Sequence, residues 1–164
     1  MNTATCACGR VAMEALGAPI VSAICYCDDC QEGARRIEAL PGAARVLNED
    51  GGSDYVVYRK DRVRVSRGTE LLKATKVKNG SPTNRVVATC CNSAMMLNFD
   101  DSKHWLDFYR ARLRTPAPPA QMLVCTRFAP APESLPRNVP AYPGHPFAFI
   151  AKLLRARIAM ALGL

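Results

Sequence analysis

Aromatic side chains make up only 7% of this 164-residue sequence, with a single tryptophan, and histidine occurs twice. So thin an aromatic content argues against a base-stacking nucleic-acid platform, in which rings recur along a basic groove. His104 and His145 stand alone, without metal-ligand spacing, and no role is assigned to either beyond the general ability of an imidazole to reach an open metal position. Acidic residues are also few: 14 against 22 Lys and Arg leave a formal charge of +8. That surplus favours anionic partners such as nucleic acid, phospholipid headgroups or carboxylate-bearing small molecules, and by itself does not choose among them. No uncharged run is long enough to cross a bilayer. The most apolar stretch, residues 147–164, carries Lys152, Arg155 and Arg157, each costing roughly 2.5 to 3.5 kcal/mol near a bilayer centre. A transmembrane span is therefore not expected. The opening MNTATCACGR lacks a basic flank followed by an apolar run, so a secretory signal is not expected either, and a reducing, cytoplasmic setting is.

Apolar residues at 49% and charged residues at 22% are ordinary for a globular chain, which excludes global disorder and predicts one domain with a buried core. Short valine- and leucine-rich segments separated by turn residues predict strands over 11–16, 55–58, 62–66, 71–77, 85–89, 95–99 and 122–128. The fold class is therefore mainly β, with antiparallel sheets and a few short helices. Helices are predicted over 28–40, capped by Asp28 or Asp29, and over 102–114, capped by Ser102. Nine of the twelve prolines lie between Pro116 and Pro146. This region reads as an extended wrap interrupted by one strand. A C-terminal helix follows over 146–164, too apolar to stand alone in water; it is expected to cover the protein's own core or a partner subunit, as in a homodimer. The organisation expected is a domain over 1–128, with 129–164 as wrap and helix of the same unit.

What the chain has in excess is cysteine, at positions 6, 8, 25, 27, 30, 90, 91 and 125. In a reducing compartment metal binding explains such clusters better than disulfides do. In an extended CxC, alternate side chains share a face, and a turn after Cys27 brings Cys30 back toward Cys25 and Cys27. Three convergent thiolates meet most of the tetrahedral demand of zinc and leave one position open, the mark of a catalytic rather than a structural site. Two other readings of the triplet are reduced, buried cysteines and a Cys27/Cys30 redox dithiol, which lacks a thioredoxin-like βαβ context. Cys6 and Cys8 with Cys90 and Cys91 would form a closed four-thiolate site; the alternative is that only one of Cys90 and Cys91 is a ligand and the other packs, since neighbouring strand residues point to opposite faces. Cys125 lies in an apolar segment and is expected in the core. Tyr26, between two proposed ligands, is expected to face away from the metal. One to two zinc ions per chain are expected.

The segments CACGRV (6–11), GAPIVSAICYCDDCQ (17–31) and RVVATCCNSAMML (85–97) together resemble the glutathione-dependent formaldehyde-activating enzyme and centromere protein V family over residues 5–128, with CYCDDCQ and CCN pointing to a divergent bacterial branch. The resemblance implies a β-tent fold with one structural zinc and one catalytic zinc. Cys6 and Cys8 match structural ligands, and Cys25, Cys27 and Cys30 match the catalytic triplet. Where the family has Cys-x-x-Cys-Gly, this chain has Cys90-Cys91-Asn92-Ser93; either register loses one thiolate unless the adjacent cysteine swings in.

The resemblance implies carbon-sulfur lyase chemistry on a thiol adduct such as S-hydroxymethylglutathione, with glutathione as partner. Between Arg59 and Lys78, eight basic residues face two acidic ones, a run able to bind glutathione carboxylates if it adjoins the triplet, or else a solvated strand face. The alternative is a zinc-stabilised binding module without turnover, with that run on nucleic-acid phosphates or another anionic partner.

Overall fold

The computed structural model describes residues 1–164. Ten strands and two α-helices follow in the order β1 (Asn2–Thr5), β2 (Ala12–Ala15), β3 (Val21–Cys25), α1 (Asp28–Glu38), β4 (Ser53–Arg59), β5 (Val63–Arg67), β6 (Leu72–Thr75), β7 (Thr83–Ala88), β8 (Ser93–Phe99), β9 (Trp105–Tyr109), β10 (Met122–Val124) and α2 (Phe147–Ala161). The architecture is mainly β. Strands β1-β2-β5 form a small antiparallel sheet, and β10-β3-β4-β9-β8-β7-β6 form a seven-stranded one in which only the β10–β3 pair is parallel.

Strand alternation distributes the core between two layers. In central β4, Val56 and Tyr58 face the small sheet, among Ala4, Met13 and Phe108. Tyr55 and Val57 face the other way, toward Cys30 and Ile37 of α1 and Leu153 of α2. The seven-stranded sheet is thus covered by the small sheet on one face and by both helices on the other. A bulge in the β7–β8 ladder skips Met95, so Met95 and Met96 both enter the layer between the sheets.

Several expectations need correction. Residues 102–114 are not a helix: Trp105–Tyr109 is a strand between β4 and β8. Its alternation decides the matter, with Leu106 and Phe108 buried against the small sheet and Trp105, Asp107 and Tyr109 on the opposite side. The segment 122–128 is extended only to Val124, because Cys125 turns into the left-handed region at φ 58°. The cap of α1 is Cys27 rather than an aspartate; Asp28 and Asp29 occupy the first turn, where their charge favours the helix dipole. Strands β1 and β3 escaped the pattern reading, being short and poor in apolar alternation.

The proline-rich segment runs over the surface and bridges back to the sheet at Leu123–Ala141. Helix α2 lays Leu153 into the core, and the Leu153 carbonyl meets His104 Nε2 at 2.8 Å. Its outer face leaves Phe147, Ile150, Leu154 and Ile158 exposed. No helix is long and apolar enough to cross a membrane.

Candidate functional site

Two sulfur clusters stand on opposite faces of the seven-stranded sheet. The first joins two turns distant in sequence. Between β1 and β2, Gly9 at φ 76° closes a tight turn that points Cys6 and Cys8 the same way, and Val11 N–H donates to Cys6 Sγ at 3.2 Å. Between β7 and β8, Cys90 and Cys91 lie in a turn rather than on a strand, closed by Asn92 at φ 50°. The opposite-face rule for strand neighbours does not apply there, and both sulfurs reach the cluster. Cys6 Sγ lies 3.6 Å from Cys8 and 3.8 Å from Cys90, Cys8 lies 3.3 Å from Cys90, and Cys90 lies 3.9 Å from Cys91. Thiolates at about 2.3 Å from a tetrahedral zinc stand about 3.8 Å apart, so this donor set fits a closed metal site.

The second cluster is Cys25, Cys27 and Cys30, with all three sulfurs within 4.8 Å of one another. Cys25 ends β3, Cys27 caps α1 and Cys30 lies in its first turn, so the sulfurs collect at a helix N-terminus, where negative charge is favoured. Three thiolates and no fourth cysteine in the group fit a metal with a position left for another ligand. Tyr26 points the other way, fully buried, its hydroxyl donating to Asp50 at 2.7 Å. The triplet shares its negative charge unevenly. Hydrogen bonds from Cys25 and then Cys30 pull the Cys27 thiol down to about 2, while the bonds Cys25 makes with Cys125, Cys27 and Cys30 push its own thiol well up.

A cavity of about 260 Å³ opens on the triplet. Phe99, Trp105 and Phe149 give it an apolar wall, and His145, Asp107, Lys103 and Arg85 bring polar groups into it. Four groups in or beside it, Cys125, His145, Asp107 and Arg85, were not assigned to the site from the sequence. Cys125 is buried as expected but is also in contact with Cys25, and its sulfur lies 3.8 Å from His145 Nδ1. Hydrogen bonds to Cys25 and His145 lower the Cys125 thiol to about 5, and the same contact raises His145. Asp107 has an Oδ1 closed off from solvent with no hydrogen-bond donor, and burial pushes its carboxyl up to about 7. Arg85 is 3% exposed and its Nη2 donates to the Asp29 carbonyl. It brings a buried cation beside a site whose zinc and three thiolates would sum to −1. An arginine on a strand beside a helical glycine, Gly33, was the available clue, but pairing the two requires the tertiary fold.

The basic run 59–78 does not face the triplet as a unit. Arg59 pairs with Asp61, Arg64 with Glu14, Lys76 with Asp100 and Lys78 with Asp29, and Arg62 is half-buried in the turn that leads into β5.

No curated protein matches the sequence in a direct comparison. Among solved structures, a Rhodobacter sphaeroides protein aligns with a TM-score of 0.51 and 18% identity, covering 85% of this chain and 99% of its own; at that identity the likeness concerns the fold. The family model described as glutathione-dependent formaldehyde-activating enzyme matches residues 1–110. Those residues hold the triplet and the four-cysteine cluster, and the chain belongs to the glutathione-dependent formaldehyde-activating enzyme family.

Proposed function

We propose that the protein is a zinc-dependent carbon-sulfur lyase acting on a thiol adduct, with the bond between glutathione and formaldehyde in S-hydroxymethylglutathione as its substrate class. In this reading Cys25, Cys27 and Cys30 hold the catalytic zinc, and Cys6, Cys8, Cys90 and Cys91 hold a structural one. The observation that carries it is the three-sulfur cluster opening into a cavity, whereas the four-sulfur cluster opens into none of the principal cavities. Bound at the triplet, zinc would stabilise a thiolate and polarise a carbonyl oxygen.

The chain's own side chains supply the rest. Adding a thiol to formaldehyde forms one carbon-sulfur bond and moves one proton from sulfur to the former carbonyl oxygen; cleavage reverses both. His145, in the cavity and raised by its contact with Cys125, is placed to hold that proton. Phe99, Trp105 and Phe149 keep bulk water from the reacting carbon, and Arg85 offsets the negative charge of the sulfur cluster. The test is adduct formation from glutathione and formaldehyde, followed by NMR with wild-type protein and with Cys27→Ser. The reading requires acceleration above the uncatalysed rate by the wild type alone; equal rates with and without protein of verified zinc content would refute it.

A further inference from the structure

Helix α2 has two apolar sides, and only one of them is covered. Phe149 and Leu153 turn to the seven-stranded sheet, Leu153 into the core. On the other side Phe147 is 85% exposed, Ile150 49%, Leu154 58% and Ile158 53%, and Leu162 and Leu164 continue past the end of the helix. Of the ten large hydrophobic side chains that the chain leaves exposed, six belong to this segment. At about 3.6 residues per turn, positions 147, 150, 154 and 158 form one continuous stripe along the helix. Exposed apolar side chains gathered in this way mark a contact surface, whereas single ones scattered over a surface do not.

The charges around the stripe narrow what can cover it. Helix α2 holds Lys152, Arg155 and Arg157 and no acidic residue, and none of the three takes part in an ion pair. By the same helical geometry Arg155 borders one edge of the stripe and Arg157 the other, and both are exposed. An apolar band flanked by cations is complementary to a surface that is anionic outside and apolar beneath. A second copy of this chain lacks that complementarity, because packing stripe on stripe sets the unpaired arginines of both copies against one another. The area is also small: the helix, about 22 Å long and about 10 Å wide, projects about 220 Å², against about 800 Å² per partner in a standard interface. The outer residues line none of the principal cavities, so the stripe offers no groove in which a partner helix or peptide would seat.

We propose that the outer face of α2 docks the protein on an anionic phospholipid surface, with Phe147, Ile150, Leu154 and Ile158 among the acyl chains and Arg155 and Arg157 at the phosphates. The helix lies in the plane of the interface and does not cross it. No helix of the chain is long and apolar enough to span a bilayer, and an interfacial helix needs only one apolar face sunk about 5 to 10 Å into the headgroup boundary. Arginine suits the margins, because its stem stays against apolar surface while the guanidinium reaches the headgroup level. The formal charge of +8 over the whole chain adds long-range attraction to such a surface. Phe149, which walls the triplet cavity, lies on the opposite side of the helix, so the inference is independent of the function proposed above.

Sedimentation of the full chain with lipid vesicles tests this. At low salt, phosphatidylcholine vesicles containing about 30% phosphatidylserine should carry the protein down, and vesicles of phosphatidylcholine alone should carry much less. Arg155→Gln and Arg157→Gln should each weaken binding about fivefold. The double variant Leu154→Gln/Ile158→Gln, which keeps every charge, should weaken it about tenfold or more. All four residues are exposed, so these variants should melt like the wild type. The proposal is overturned if the wild type stays in solution with the anionic vesicles, or if both kinds of vesicle carry it equally. It is overturned too if Leu154→Gln/Ile158→Gln sediments as the wild type does, which would assign the attraction to the chain's general positive charge. Light scattering that shows a wild-type dimer, lost in Leu154→Gln/Ile158→Gln, would give the stripe to a second copy and likewise overturn it.

Discussion

Gly33 occupies the second turn of α1, where glycine costs about 1 kcal/mol relative to alanine. Propensity alone would make Gly33→Ala stabilising. The added methyl would instead strike the Arg85 side chain at 1.7 to 2.5 Å, and overpacking of this kind typically costs about 1–3 kcal/mol. Gly33→Ala is therefore expected to lower the melting temperature, and the loss should shrink in an Arg85→Ala background. A double-mutant cycle by thermal unfolding measures the coupling; equal losses in both backgrounds would show that the two side chains do not meet. A second expectation at this scale concerns Asp107, whose carboxyl burial lifts to about 7. Unfolded aspartate loses its proton near pH 4. Between those values the native chain holds a proton that the unfolded chain has released, so stability falls as pH rises from about 4 to about 7. Asp107→Asn should flatten that part of the melting-temperature profile, and an unchanged slope would assign it to other groups. The spacing of Cys25, Cys27 and Cys30 was legible because three ligands fall within six residues. Cys125, Asp107 and His145 were not, because their neighbours are brought by other elements and none forms a local motif.

At the scale of elements, β9 shows why a helical reading of residues 102–114 failed. Trp105, Phe108 and Tyr109 recur at helical spacing, yet Leu106 and Phe108 are buried on one side and Asp107 and Tyr109 turn to the other. Aromatic residues also favour strands, and the vacant hydrogen-bonding edge between β4 and β8 fixes the outcome. The C-terminal helix was legible because Phe147–Ala161 lacks an internal proline and follows Pro146. It is apolar on both sides: Phe149 and Leu153 turn to the sheet, and Phe147, Ile150, Leu154 and Ile158 turn out. Truncation after Gly144 would remove His145 and Phe149 from the cavity and uncover Trp105 and Tyr55. The expected result is a lower melting temperature and increased binding of a hydrophobic dye, with loss of the adduct formation proposed above. A truncated chain that melts like the intact one, without new dye binding, would show that α2 contributes nothing to the core.

For the whole molecule, the two sulfur clusters impose different constraints. Cys6 and Cys90 are 84 residues apart and their sulfurs lie within 3.8 Å, so a metal at the four-cysteine cluster clips the small sheet to the β7–β8 turn of the large one. Closing so long a loop removes much of the unfolded chain's freedom, and the metal-binding free energy becomes folding free energy. The triplet spans only residues 25–30, within one strand-to-helix connection, and a metal there closes almost no loop. Protein purified without chelator is therefore expected to hold one to two zinc ions per chain, with unequal consequences when a cluster is broken. Cys6→Ser should lower the melting temperature sharply and remove about one zinc by elemental analysis. Cys27→Ser should also remove about one zinc, while shifting the melting temperature much less and abolishing adduct formation. Equal destabilisation by the two substitutions would mean that the triplet is a second structural clip, and its open cavity would then lose its claim to catalysis.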